Sequence, residues 1–231
     1  MPSELRRGYY AQLDEIEGRV VQLFAMVTEG LAAATEALLT GDRDVIRVLG
    51  ERDVTIDAVY RDVEELVNQQ LALQAPVAKD LRFLLSVLRI APELERSHDL
   101  VEHIARRGAQ GLAEAVTPRA RGLIDRMGTL GVEMWRMSAD AWYDRDPLAA
   151  DRIAQRDDEM DELHAALTAE VALGGTSIPV SMDMALVARF FERLGDHAVN
   201  IARRVVYLAG ATEGPQPHDR PASREDATNP G

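Results

Sequence analysis

The sequence predicts an all-α protein built as two tandem three-helix bundles, and three observations carry that expectation. Hydrophobic residues make up 46% of the 231-residue chain but aromatics only 5%, so the core must come mainly from Leu, Val, Ile, Ala and Met. Such side chains suit helix packing better than a β-sandwich, which draws on β-branched and aromatic residues. Gly and Pro, the residues that stop helices, gather at a few widely spaced places. The second half of the chain also repeats the apolar and acidic pattern of the first.

Taken in order, the breaks are Gly41, Ala75-Pro76, Thr117-Pro118, Asp146-Pro147 and the stretch from Gly174-Gly175 to Pro179. They leave six helical segments, 4–40, 43–73, 77–114, 119–144, 147–173 and 181–210. The connections are short, so each group of three should form a small antiparallel bundle. Residues 1–115 are expected to form the first bundle and 116–210 the second, packed side by side or end to end. Residues 211–231 lack periodicity and are rich in Pro and charge, the composition of a disordered tail.

The repeat is registered twice. A shift of 97 positions pairs Glu95 with Glu192, Arg96 with Arg193, Asp99 with Asp196, and Ile104 to Arg107 with Ile201 to Arg204. The apolar stripe Val87, Ile90, Leu94, Val101, Ile104 falls on Met184, Val187, Phe191, Ala198, Ile201, at the spacing of one helix face. A shift of 104 pairs Asp53 with Asp157 and Asp57 with Asp161, together with the stripe Leu49, Ile56, Val63, Val67 and its partner Ile153, Met160, Leu167, Val171. The difference between the shifts means that the second half is shorter between its middle and last helices.

Chain-wide chemistry narrows the function classes. Cysteine is absent, which removes disulfides and thiolate metal sites and offers no argument for export. The amino terminus, MPSELRRGYYAQLDEIEG, is charged where a signal peptide needs an apolar run, and no stretch is expected to span a membrane. A formal charge of −13 without a basic patch argues against nucleic acid. The expectation is a soluble cytoplasmic protein that meets the membrane only through partners.

Four acidic pairs with i, i+4 spacing recur in matched places: Asp53/Asp57 and Glu95/Asp99 in the first half, Asp157/Asp161 and Glu192/Asp196 in the second. Like charges at this spacing cost about 0.2–0.5 kcal/mol each on a helix. Asp53 and Asp157 also fall on the apolar stripe, where an unpaired carboxylate is expensive. One solution is a metal ion, since carboxylates facing each other from two helices offer hard oxygen ligands for Mg, Mn, Fe or Zn. The other is neutralisation by the neighbouring Arg52, Arg96, Arg156 and Arg193. Asp140/Asp144 and Asp158/Glu162 have no counterpart in the other half and read as solvated surface. His98, His103 and His197 flank the acidic motifs as ligands, outer-shell donors or partly buried polar residues. His164 looks like a stripe residue, and Trp135 and Trp142 look like core.

At FERLGDHAVNIARR the chain resembles the PhoU family, whose members carry E(D)xxxD motifs in two repeated three-helix bundles; Glu192, Arg193, Gly195, Asp196, Asn200 and Ile201 match together. The stretch from Gln74 to Asp99 looks like the corresponding first-repeat region, and the resemblance covers roughly 5–210. It implies one metal cluster on Asp53, Asp57, Glu95 and Asp99 and another on Asp157, Asp161, Glu192 and Asp196. It also implies a homodimeric adaptor between the ATPase of a phosphate ABC transporter and a sensor histidine kinase, repressing the phosphate-starvation response when phosphate is plentiful. The first repeat departs from the pattern. Ser97-His98 stands where the second has Leu194-Gly195, and His103 stands where it has Asn200. A mid-helix Gly costs about 1 kcal/mol against Ala, so Gly195 reads as a point of close helix approach that His98 does not offer.

Competing functions are less well supported. A ferritin-like dimetal oxidase needs a Glu-x-x-His motif on each of two helices; Glu95 to His98 supplies one, and Glu192 to Gly195 does not. A phosphotransfer domain finds only Ser97-His98-Asp99-Leu100, with no ATP-binding Gly-rich element after it. A plain structural helical module would leave the acidic pairs as a solvated face. No P-loop, nucleophile motif or dinucleotide fingerprint is present, so no enzymatic activity is expected.

Overall fold

A computed structural model describes residues 2–109 and 111–210. The expected disordered tail at 211–231 lies outside the described residues. Among the described residues seven helices follow one another: α1 (Pro2–Thr40), α2 (Arg43–Gln74), α3 (Ala78–Ala109), α4 (Leu112–Ala115), α5 (Pro118–Asp144), α6 (Ala149–Ala172) and α7 (Ile178–Leu208). The breaks work as the punctuation residues dictate. Gly41, Gly174 and Gly175 take positive φ, while Asp42 caps α2 by accepting the Asp44 N–H at 2.9 Å. Thr117 caps α5 by accepting the Ala120 N–H at 3.1 Å, with Pro118 in the first turn.

Three boundaries differ from expectation. The segment 77–114 divides, because Gly111 adopts φ 84° and turns the chain into the one-turn α4. The helix expected from 147 begins at Ala149, since the Asp146 carboxylate accepts the Leu148 N–H at 2.8 Å and holds a turn there. The helix expected from 181 begins at Ile178, because Pro179 sits in the first turn, where its missing N–H leaves no bond unmade.

Helices α1, α2 and α3 pack as one three-helix unit and α5, α6 and α7 as another. The units lie side by side: α1 runs against α5 and α3 against α7, leaving α2 and α6 on the outside. Their interiors merge into one apolar core in which Phe24 meets Trp135 at 6.3 Å and Phe83 meets Trp142 at 5.9 Å between ring centroids. A Cβ built at Gly108 would stand 2.6 Å from the Ala37 carbonyl oxygen, so α3 comes against the α1 backbone because this residue is glycine. Polar clasps accompany the apolar contact. Arg145 donates to Glu17 at 2.6 Å, and Arg107 pairs with Asp183 at 3.3 Å.

Helix α1 corrects one expectation. Over Arg6–Thr40 it is long and apolar enough, by length and composition, to cross a membrane, and half of its most apolar window is buried inside the bundle. Ile16, Val20, Leu23, Val27, Leu31, Ala34 and Leu38 are all within 1% of complete burial, so core packing accounts for that apolarity.

Candidate metal centres

The repeat places the matched acidic pairs on adjacent outer and inner helices, α2 with α3 and α6 with α7. In the first unit Asp53, Asp57 and Glu95 are half-buried and Asp99 is exposed. Burial, followed by the charges of Asp99 and Asp57, pushes the Glu95 carboxyl above its ordinary range. Burial and then Asp53 do the same to Asp99. Glu95 is therefore within electrostatic reach of the other three residues, and Asp99 of Asp53.

In the second unit Asp157 and Glu192 are half-buried and Asp161 and Asp196 are exposed. Burial, then Asp196, Asp161 and Glu192, push the Asp157 carboxyl up to about 6. Glu192 is raised by burial and by Asp196 and Asp161, against the lowering influence of Arg189 and His164. Asp157 Oδ1 and Glu192 Oε2 are buried and accept no hydrogen bond. A Cβ built at Gly195 would collide with Asp157 Oδ1, so this glycine makes room for a carboxylate of α6 as well as for close approach of the helix. Among the described residues no three His, Asp or Glu side chains are already gathered as a metal cage. The arrangement is two acidic seams between neighbouring helices, with the carboxylates close and unevenly satisfied.

The arginines do not pair as the sequence suggests. Arg52 turns to Glu29 at 3.6 Å, Arg96 to Glu93 at 3.5 Å, and Arg156 to Glu159 at 3.3 Å and Glu133 at 3.7 Å. Arg193 makes no ion pair among the described residues. The acidic seams are met instead by two arginines that sequence reasoning passed over: Arg61 bonds Asp57 at 2.9 Å, and Arg189 bonds Glu192. Their i, i+4 and i, i+3 spacings were the available signal.

The histidines separate into different roles. His98 is completely buried and neither ring nitrogen has a hydrogen-bond partner. Desolvation lowers its pKa, against the opposing pull of Asp53, Glu102 and Asp99. His103 stacks on Phe190 at 5.5 Å. His197 lies between α3 and α7, with Nδ1 2.9 Å from Ser97 Oγ and Nε2 3.6 Å from Glu93 Oε2, so it serves the joint between the units. Half-buried His164 is within electrostatic reach of Glu192. Trp135 and Trp142 are fully buried core residues, and Asp140, Asp144, Asp158 and Glu162 are exposed as expected.

Comparison with known proteins agrees with the two-unit helical fold. The PhoU domain matches twice, over residues 20–108 and 124–205, once on each unit. A phosphate-specific transport system accessory protein PhoU homolog 1 of Mycobacterium leprae is 32% identical, covering 89% of this chain and 94% of its own length. The PhoU homolog of Deinococcus radiodurans is 31% identical over 90% of this chain and all of its own. The crystal structure of PhoU from Pseudomonas aeruginosa superposes with a TM-score of 0.83 at 27% identity, covering 88% of this chain and 100% of that one. The phosphate transport system regulatory protein PhoU from Streptococcus pneumoniae gives 0.82 at 26% identity, over 90% and 99%. Matched once on each three-helix unit and along nearly all the described chain, this protein belongs to the PhoU family.

Proposed function

We propose that this chain is a cytoplasmic accessory and regulatory protein of phosphate uptake, without enzymatic activity of its own. It acts as a homodimeric adaptor between the ATPase of a phosphate ABC transporter and a sensor histidine kinase. The observation that carries this reading is the family match on both units, together with relatives named for the phosphate-specific transport system. The partners and the dimer are extensions of that match. A reporter for phosphate-uptake genes in a deletion strain tests the role. Expression that stays high in ample phosphate supports it, and normal repression overturns it.

We further propose that the acidic seams hold metal ions: Asp157, Asp161, Glu192 and Asp196 in the second unit, and Asp53, Asp57, Glu95 and Asp99 in the first. The donor set fits, because two buried carboxylate oxygens of the second seam have no hydrogen-bond partner, and burial first, then neighbouring acids, holds Asp157 and Glu192 above the ordinary carboxylate range. The arginines nearest in sequence are engaged elsewhere or unpaired, which leaves most of this charge unmet. A bound Fe, Mn, Zn or Mg ion would supply the missing positive charge and tie an outer helix to an inner one. The residues themselves position the ligands. Gly195 admits the Asp157 carboxylate, the one-turn spacing of Glu192 and Asp196 presents both to α6, and Arg189 steadies one Glu192 oxygen.

A further inference from the structure

The charge of the chain is not spread evenly. Helices α3 and α7 together carry ten Lys and Arg against eight Asp and Glu, in a protein whose net charge is −13. Four of those acids, Glu95, Asp99, Glu192 and Asp196, belong to the seams with α2 and α6. Contacts along the joint between α3 and α7 set its register. Arg107 meets Asp183 at 3.3 Å, His103 stacks on Phe190 at 5.5 Å, and Ser97 meets His197 at 2.9 Å. At the far end Arg82 Nη2 lies 4.0 Å from where a Cβ of Gly210 would stand. The helices are therefore antiparallel, and this register brings Arg89 of α3 to the level of Arg204 of α7. Arg96 precedes Ser97 and Arg193 lies one turn before His197, so both stand beside the middle contact.

The result is a row of guanidinium groups along the joint, and few acids answer it. Glu93 pairs with Arg96 at 3.5 Å, and Asp183 with Arg107. Arg82, Arg89 and Arg193 make no ion pair among the described residues, and Arg204 only lies over the Tyr207 ring at 5.1 Å. Burial, then the charge of Arg89, lowers the Arg204 pKa. Like charges drawn up in a line repel one another, and this chain has 39 acids from which partners could have come. The row is left open to an anion from outside.

We propose that the joint between α3 and α7 is a docking groove for an acidic amphipathic helix of a partner protein. This deepens the adaptor reading and rests on it only for the existence of a partner. The occupant follows from three features. Arg grips carboxylates through paired hydrogen bonds, and Arg82, Arg89 and Arg96 recur at the seven-residue spacing of one helix face, which suits Glu or Asp repeated along a facing helix. Apolar groups border the row. Leu85 of α3 and Leu186 of α7 are each 39% exposed, and half-buried Phe190 lies under Arg107 at 5.9 Å. A phosphate polymer has nothing to bury against them. A flat anionic bilayer would meet exposed Asp99 and Asp196, three residues beyond Arg96 and Arg193, and the net charge of −13 opposes it further.

The test uses the full chain and, as probe, a labelled synthetic helical peptide with Glu along one stripe and Leu along the next, read by fluorescence anisotropy. Arg89→Glu with Arg193→Glu should weaken peptide binding by about tenfold or more. Both side chains are exposed, so the melt should change little. Arg43→Glu with Arg47→Glu on α2 changes net charge equally and should leave binding nearly intact; equal losses in the two variants overturn the proposal. So does failure of the unaltered protein to bind the peptide, or binding as tight to the same peptide with Ser in place of Leu. Tighter binding of linear polyphosphate or phosphatidylglycerol vesicles at these arginines overturns it in favour of those anions. A dimer that falls apart in the α3–α7 variant overturns it in favour of a second copy. In cells the α3–α7 variant should leave phosphate-uptake genes expressed in ample phosphate, as deletion does. Normal repression in the deletion strain would defeat the adaptor reading alone, and the peptide would still decide the groove.

Discussion

In the second unit a glycine lets α7 come so near α6 that a Cβ there would strike the Asp157 carboxylate, and in the first unit His98 stands at the matching position on α3. The helices, the apolar stripes and the four carboxylates are otherwise repeated. The difference teaches that the duplication preserved the acidic face and let the layer beneath it diverge. Beneath the second seam the layer is Gly195, Met134 and Met160; beneath the first it is an imidazole and, one turn on, Glu102. Asp157 feels this most, pushed up to about 6 by burial and then by the four acids Asp196, Asp161, Glu192 and Asp158.

That comparison can be broken or sharpened by substitution. The largest effect on folding is expected at a glycine outside both seams. Gly108→Ala puts a Cβ against the α1 backbone, which has little freedom to yield, and should destabilise by about 1–3 kcal/mol in denaturant titration. Gly195→Ala should behave differently. The atom it strikes ends a side chain that can rotate, and Ala gains about 1 kcal/mol of helix propensity over Gly. Unfolding should therefore change little while metal content of the second seam falls; a loss of stability like that of Gly108→Ala would mean that Gly195 serves packing alone.

A third, smaller effect depends on pH. The folded protein holds the Asp157 proton more tightly than the unfolded chain, whose ordinary value is about 3.9. Its stabilising contribution is thus complete below about pH 4 and is lost as pH rises through about 6. In metal-free protein, Asp157→Asn should raise stability at pH 7.5 by something of order 1 kcal/mol, discounted for partial exposure, and the gain should shrink below pH 6. Thermal melts across that range check the sign, and a gain that grows on acidification contradicts the account. Smallest are the exposed pairs: Arg61→Ala, which frees Asp57, should cost under about 0.5 kcal/mol.

Much of this was legible in the sequence. Gly41, Thr117-Pro118 and Gly174-Gly175 mark real helix ends, and the shifts of 97 and 104 correctly align the helices that share each seam. The role of Gly195 could be read because a mid-helix glycine has a cost that close packing offsets. The arginine partners were not legible, because long side chains choose among several acids by three-dimensional proximity: Arg156 finds Glu133 of α5, which no spacing on its own helix reveals. His197 lies next to Asp196 in the chain and yet faces the other unit, because adjacent helical residues point about 100° apart. Side-by-side packing of the units likewise depends on which apolar faces meet, and periodicity shows only that such faces exist.

The central claim is that the repeated carboxylates are kept for metal. The most direct measurement is elemental mass spectrometry on untagged protein purified without chelator, beside a Glu192→Gln, Asp196→Asn variant of the same chain. Stoichiometric Fe, Mn, Zn or Mg that falls in the variant while the first seam keeps its share is the predicted result. Equal metal in both samples, or none in either, would contradict it and return the seams to solvated acidic faces held by Arg61 and Arg189.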